Sequence, residues 1–232
     1  DRLVDSRSHA PVVARLRPAI AAGGGVSTGN AAVGGSLIVD VFTLKTRAYL
    51  ASGVHVNDTA AAGSDQSVTV RATDSTELFT VAGAVALTTG SAGVGIGLDV
   101  NVVDKDTRAY IDQGSSVRGA GSVSVLASAT ENTRSIAASA AAAGGTAGVG
   151  GSISVFVLNT GSSSGTRAYI GSGSTVVAGG SVTVSAGDDA TIKLLAGSIA
   201  FGARAGVGIA NTTLVRTQTV EAYVGANSAI DA

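Results

Sequence analysis

Acid–base chemistry near neutral pH usually needs an imidazole or a pair of carboxylates, and this sequence offers few of either. Its two histidines, His9 and His55, stand in unrelated contexts with no repeated Asp, Ser or Cys beside them. They do not supply the base of a nucleophile–base–orienter triad. Asp104 and Asp106 lie two positions apart and share a face if extended, while the neighbours Asp188 and Asp189 read as a turn. Paired carboxylates can cleave glycosides at suitable separations, yet neither pair recurs elsewhere in the chain. The GGxGxDxUx nonapeptide of calcium-loaded β-rolls is absent, and NDTAAAGSDQ at 57–66 lacks the alternating acidic ligands of an EF-hand. The glycine clusters have neither a Lys-Ser/Thr end nor a following helix, so they read as turns rather than phosphate loops. NDT at 57 and NTT at 211 match the glycosylation sequon. No catalytic residue, metal ligand or cofactor is expected.

One polar pattern does repeat. TRAYL stands at 46–50, TRAYI at 107–111 and again at 166–170, and a worn copy, VEAYV, at 220–224. In an extended segment Thr, Ala and the last residue point one way, and Arg and Tyr the other. Arg47, Tyr49, Arg108, Tyr110, Arg167 and Tyr169 are therefore the candidate binding residues. Tyr rings beside guanidinium groups can stack on sugars or meet acidic groups. A ladder that staples neighbouring strands would use the same residues. Three guanidinium groups stacked in such a ladder repel by about 1 kcal/mol per close pair in water.

The elements that must position these residues show in the spacing. Ala48, Ala109, Ala168 and Ala222 are 61, 59 and 54 residues apart. Ser67 to Ala92, Ser122 to Ala147 and Ser181 to Ala205 span 25, 25 and 24, and the steps on to the next TRAY Ala are 17, 21 and 17. The surplus sits in NDTAAAG after His55 and TGSSSG after Asn159, which are loop compositions. A unit of about 55 residues with fixed internal spacing is a structural repeat. In each unit SVTV-like segments put Val68 and Val70, Val123 and Val125, or Val182 and Val184 on one face, with Thr69, Ser124 and Thr183 on the other. Because those hydroxyl rows are not uniformly Thr, an ice-binding surface is disfavoured. VAGAVAL at 81, IAASAAA at 136 and LAGSIAF at 195 carry apolar or tiny residues on both faces. Strands of this kind need close cover on both sides. After a Gly-rich turn, Val94, Ile96, Leu98, Val100 and Val102 alternate with Gly95, Gly97, Asp99 and Asn101, and Val149, Ile153, Val155 and Val157 repeat the pattern. Two strands flanking a short Gly-rich turn predict a hairpin in each repeat.

Composition narrows the class further. The apolar fraction of 45% is mostly Ala and Val, aromatics are 3%, and Cys, Met and Trp are absent. Recurrent Gly and β-branched residues exclude long helices. The net charge of -1 leaves no basic stripe for phosphates, so nucleic acid is not an expected partner. Residues 135–165 carry no charge but are chiefly Ala, Gly and Ser, and equivalent segments hold Asp40, Lys45, Asp99 and Lys105. No membrane span is expected. The opening DRLVDSRSHAPVV has no Met and no charged-then-apolar leader, and reads as a piece of a longer chain.

AYIGSGSTVVAGGSVTVSAG at 168–187, followed by LLAGSIAFGARAGVG at 194–208, resembles the repeats of very large secreted bacterial adhesins of the filamentous-haemagglutinin and leukotoxin-like type. The resemblance covers residues 14–232. It implies export, an extracellular or cell-surface location, a β-helical shaft and an adhesive role.

The expected fold is all-β, a β-solenoid (β-helix-like) of about 55-residue repeats, each with a hairpin-like extension. Residues 1–232 form a single repeat domain: a partial repeat 1–47, repeats at about 48–108, 109–167 and 168–221, and the start of another at 222–232. The expected function is a non-catalytic shaft or filament segment of a secreted bacterial surface adhesin. Its partners would be neighbouring repeats or copies of itself end to end. The alternatives are a module binding polysaccharide or a host surface through the Arg/Tyr face, and a β-helical glycan-cleaving enzyme.

Overall fold

The computed structural model describes residues 12–15, 18–57, 66–161 and 164–232. Every described regular element is a strand, and the strands follow one another in four rungs. The first holds β1 (Val12–Arg15), β2 (Ala19–Ser27), β3 (Ala31–Leu50) and β4 (His55–Val56), and the second β5 (Val68–Thr88), β6 (Ala92–Ile111) and β7 (Ser116–Gly119). The third holds β8 (Val123–Ala143), β9 (Ala147–Thr160), β10 (Gly165–Ile170) and β11 (Thr175–Ala178), and the fourth β12 (Val182–Gly202), β13 (Ala205–Gln218), β14 (Val220–Val224) and β15 (Ala229–Asp231). Equivalent strands of successive rungs pair in parallel and in register, Ala48 with Ala109, Ala109 with Ala168, and Ala168 with Ala222. Three parallel sheets result. One long sheet contains β1, β2, β5, β8 and β12, a second β3, β6, β9, β10, β13 and β14, and a narrow third closes one end with β4, β7, β11 and β15.

This corrects the expected β-solenoid with hairpin-like extensions. Across the Gly-rich turn β5 and β6 do not pair: β5 bonds to β8 and β6 to β9, all in parallel. The two strands fall in different sheets that meet face to face, so the turn joins sheets rather than making an antiparallel ladder. Each rung is thus a flat loop. Strands of 20 and 21 residues make its long sides about 70 Å. At the narrow sheet the chain turns through left-handed backbone at Gly53, Gly114 and Gly173, with φ of 69°, 67° and 68°, and at Asn227 with 59°. Gly and Asn are the residues that tolerate this region.

The interior changes chemistry along the long axis. Beside the narrow sheet, Val70, Ala72, Ala109, Ile111, Val117, Val123, Val125 and Val176 form an apolar core. SVTV valines face in and their hydroxyl neighbours out, as the alternation predicts. A charged layer follows, then a second apolar cluster of Leu78, Val103, Phe156 and Leu158. Beyond it Asp99 accepts from Thr80 Oγ1 at 2.5 Å, Asn101 Nδ2 at 2.9 Å and Ser135 Oγ, all buried. In the last third the sheets touch backbone to backbone. A Cβ on Gly95 would lie 2.6 Å from the Ala140 carbonyl oxygen, and one on Gly148 only 2.2 Å from that of Phe201.

That contact turns the distal half inside out. The Gly, Asp and Asn face of β6 points in, and Val94, Ile96, Leu98, Val100 and Val102 point out. On the other long sheet the outward residues change along the strands, from Glu77, Asn132, Arg134, Thr191 and Lys193, with Phe79 already beside Arg134, to Val81, Val85, Leu87, Ile136, Leu195, Ile199 and Phe201. Phe201 is 67% exposed, Ile199 58% and Leu37 60%. The aligned stretches 20–27, 81–88, 136–143 and 195–202, each eight residues long on one of four strands, make roughly 500 Å² of largely apolar sheet on that side alone. That is in the upper part of the range for the largest apolar patch of a monomeric protein, and patches of this size are often functional.

Candidate functional site

Strand pairing places the six candidate residues in two adjacent outward columns. The rings of Tyr49, Tyr110, Tyr169 and Tyr223 stack with centroids 5.1, 4.8 and 5.1 Å apart and planes within 8°, 4° and 3° of parallel. Each inner ring is covered on both faces by the next. Burial, then the neighbouring Tyr110 and Tyr223 phenols, hold the Tyr169 hydroxyl above its usual range. A sugar stacking on the column would find a ring face only at its ends.

The arginines do not repel as a bare ladder would. Asp106 lies on the same outward face and accepts from Arg47 Nη2 at 2.6 Å and Arg108 Nε at 2.5 Å, so one carboxylate sits between two guanidinium groups. Arg167 pairs with Glu221 at 2.9 Å, where the fourth copy replaces Arg by an acid. The hydrogen bond to Asp106 raises the pKa of Arg47 above its ordinary value. Both columns therefore join rungs, and both arise because TRAYI puts Arg and Tyr on one parity of a strand that pairs with its own copy.

Of the remaining candidates, Asp104 shares the outward face of β6 with Asp106, as expected, and the others lie apart. Asp104 accepts from Ser164 Oγ at 2.6 Å. Asp188 and Asp189 sit inside β12, facing in and out respectively, not in a turn. His55 lies in β4, whereas His9 and most of the NDTAAAG loop fall outside the described residues. Among the described residues no three His, Asp or Glu side chains come together to hold a metal.

Sequence reasoning missed the most densely charged place in the interior. Lys105 on β6, 1% exposed, contacts Asp74 Oδ1 at 2.6 Å and Glu131 Oε1, and its third proton reaches the Thr130 carbonyl at 3.2 Å. Both carboxylates are 2% exposed. Asp74 also accepts from Thr46 Oγ1 at 2.6 Å on Oδ2 and from Thr76 Oγ1 at 3.0 Å on Oδ1. Burial pushes Glu131 up to about 7, with Lys105 pulling it down and Asp188 adding to the rise. Parity was the available signal: Lys105, Asp74 and Glu131 all fall on inward positions of their strands. Nothing in the repeat pointed to them, since the partners of Lys105 and Asp74 in adjacent rungs are Leu44 and Ala129.

If the Tyr column is structural, Tyr110→Leu should lower stability by about 1–3 kcal/mol, because it removes two ring stacks worth ~0.5–1.5 kcal/mol each. Denaturant titration measures this, and binding to a glycan array should be unchanged. No protein-family model, curated protein or solved structure matches the chain.

Proposed function

We propose that this chain is a non-catalytic structural segment, a shaft or filament piece, of a secreted bacterial surface adhesin. The observation that carries the reading is the unbroken in-register pairing of equivalent strands, which along β5, β8 and β12 runs the full 21 residues. Backbone hydrogen bonds then run along the stacking axis, with the Tyr column and the Asp106 and Glu221 bridges beside them, and such a stack resists bending. The resemblance of AYIGSGSTVVAGGSVTVSAG to adhesin repeats supports the extracellular setting.

The outermost rungs present open parallel edges, and unpaired edges template further pairing. The partner is a further repeat or a second copy joined end to end. The apolar outer faces of the distal half give rods a surface for packing side by side, copy against copy. No helix is long and apolar enough to cross a membrane. Polysaccharide or host-surface binding is the second reading. It is confined to the two ends of the column, where Tyr49 is 57% and Tyr223 46% exposed.

Negative-stain electron microscopy of the chain and of a tandem duplication tests the first reading. Rods that gather laterally are expected, lengthening by about 4.8 Å for each added rung. Compact single particles whose length is unchanged by duplication would overturn it.

A further inference from the structure

The buried Lys105–Asp74–Glu131 cluster has the makings of a covalent tie. A salt bridge so deeply buried is a poor stabiliser, because desolvating the ions offsets their attraction. Condensing the pair into an amide removes both charges. Lys105 Nζ touches Asp74 Oδ1 at 2.6 Å, which sets it near the roughly 3–3.5 Å at which a bond to the carboxyl carbon can form. The two carboxyl groups differ in a way that assigns their parts. Asp74 has hydroxyl donors on both oxygens, from Thr46 and Thr76, which polarise its carbon. Glu131 has an oxygen, Oε2, with no donor.

We propose that Lys105 and Asp74 condense spontaneously to an intramolecular isopeptide bond, with Glu131 as the proton carrier. In the first step the Lys105 ammonium passes one proton to the Asp74 carboxylate, leaving a neutral amine beside a neutral acid. The nitrogen adds to Asp74 Cγ while the Thr46 hydroxyl donates to the oxygen that gains charge. Glu131 then takes a proton from the nitrogen and returns it to the departing oxygen. The C–O bond breaks, the C–N bond remains, and water leaves. Ammonium and carboxylate have become amide and water, Glu131 is regenerated, and nothing is oxidised or reduced. That Glu131 is pushed up to about 7, with Asp188 facing it, suits a group that must both hold and release a proton near neutrality.

The bond would join β5 to β6 within one rung, closing a loop that contains the whole distal half of that rung. Flanking apolar clusters keep water from the site on both sides along the axis.

Intact-mass spectrometry of the full chain, folded and then denatured, gives the direct test. The expected mass is lower than the sequence requires by one water, about 18 Da, and digestion yields a branched peptide joining Asp74 to Lys105. Glu131→Gln should show the full sequence mass with an unchanged far-ultraviolet spectrum. Lys105→Arg, which keeps a cation between the carboxylates but cannot form the amide, should do the same and serves if the glutamine variant fails to fold. Full mass in the folded wild-type chain after prolonged incubation overturns the proposal, as does a branch through any other pair.

Discussion

Gly148→Val is expected to lower stability by at least about 3 kcal/mol, the upper part of the range for overpacking. Gly151→Val, three residues away on the same strand, should be within about 0.5 kcal/mol of wild type. A Cβ at Gly148 meets the Phe201 backbone, its oxygen at 2.2 Å, carbon at 2.8 Å and nitrogen at 3.0 Å, whereas one at Gly151 meets nothing within 4 Å. Neither Phe201 nor its ladder partner Ala142 can yield by turning a side chain, because the obstruction is main chain. The two long sheets would have to separate, and the neighbouring contacts at Gly93 and Gly206 would part with them. At Gly151 the added methyls enter the outward column beside Ile96 and Ile209, where a β-branched residue suits an extended backbone. In thermal unfolding the first variant should melt roughly 6–12 °C below wild type, at ~2–4 °C per kcal/mol for a chain of this size. Equal midpoints for the two variants would show that the sheets do not meet at the glycines.

The same contrast explains which parts of the structure could be read in advance. TRAYI and SVTV were legible because their alternation is polar on one side and apolar on the other, and equal spacing told which residue would sit beside which. The segment at 92–102 was different. An alternation of Val, Ile and Leu with Gly, Asp and Asn ordinarily sends the larger apolar set inward. Here the inward set is decided by how near two backbones come, a property of the pair of strands that neither sequence reveals alone. The hairpin expectation failed for a related reason: a Gly-rich turn between two strands looks alike whether they meet by their edges or by their faces. Asp188 and Asp189 resemble a turn in composition, yet pairing of β12 with Ala129 and Thr130 inside a continuous ladder holds them extended. The buried charges escaped because they occur once, in a chain whose strongest signal is repetition, and because Lys105 and Glu131 stand 26 residues apart in different rungs.

The second large effect is expected at that charged layer. Measured against wild-type chain that still carries its full sequence mass, in which the ion pair is uncondensed, Lys105→Met should cost about 3–5 kcal/mol at pH 7, the range for removing one partner of a buried ion pair. Methionine fills the space, so the loss comes from charge: Asp74 and Glu131 are left facing each other and Asp188 with no cation among them. Thr46 and Thr76 still donate to Asp74, but Glu131 keeps an oxygen without a donor. The pH trend follows from Glu131. Its folded pKa, about 7, already lies above the ordinary 4.5, so the folded chain binds its proton more tightly than the unfolded chain does. The stability from that proton is fully present below 4.5 and lost as pH rises through the folded value. Without Lys105 the folded value climbs further. Urea titrations of Lys105→Met should therefore show stability falling steadily from pH 4.5 to 8 and largely regained in mild acid. Adding Glu131→Gln to the same chain should return part of the loss at pH 7 and flatten the trend, since the proton-linked group is gone while the packing is kept. If the double variant is as weak as the single one at every pH, the cost lies in packing around position 105 and not in the stranded carboxylate.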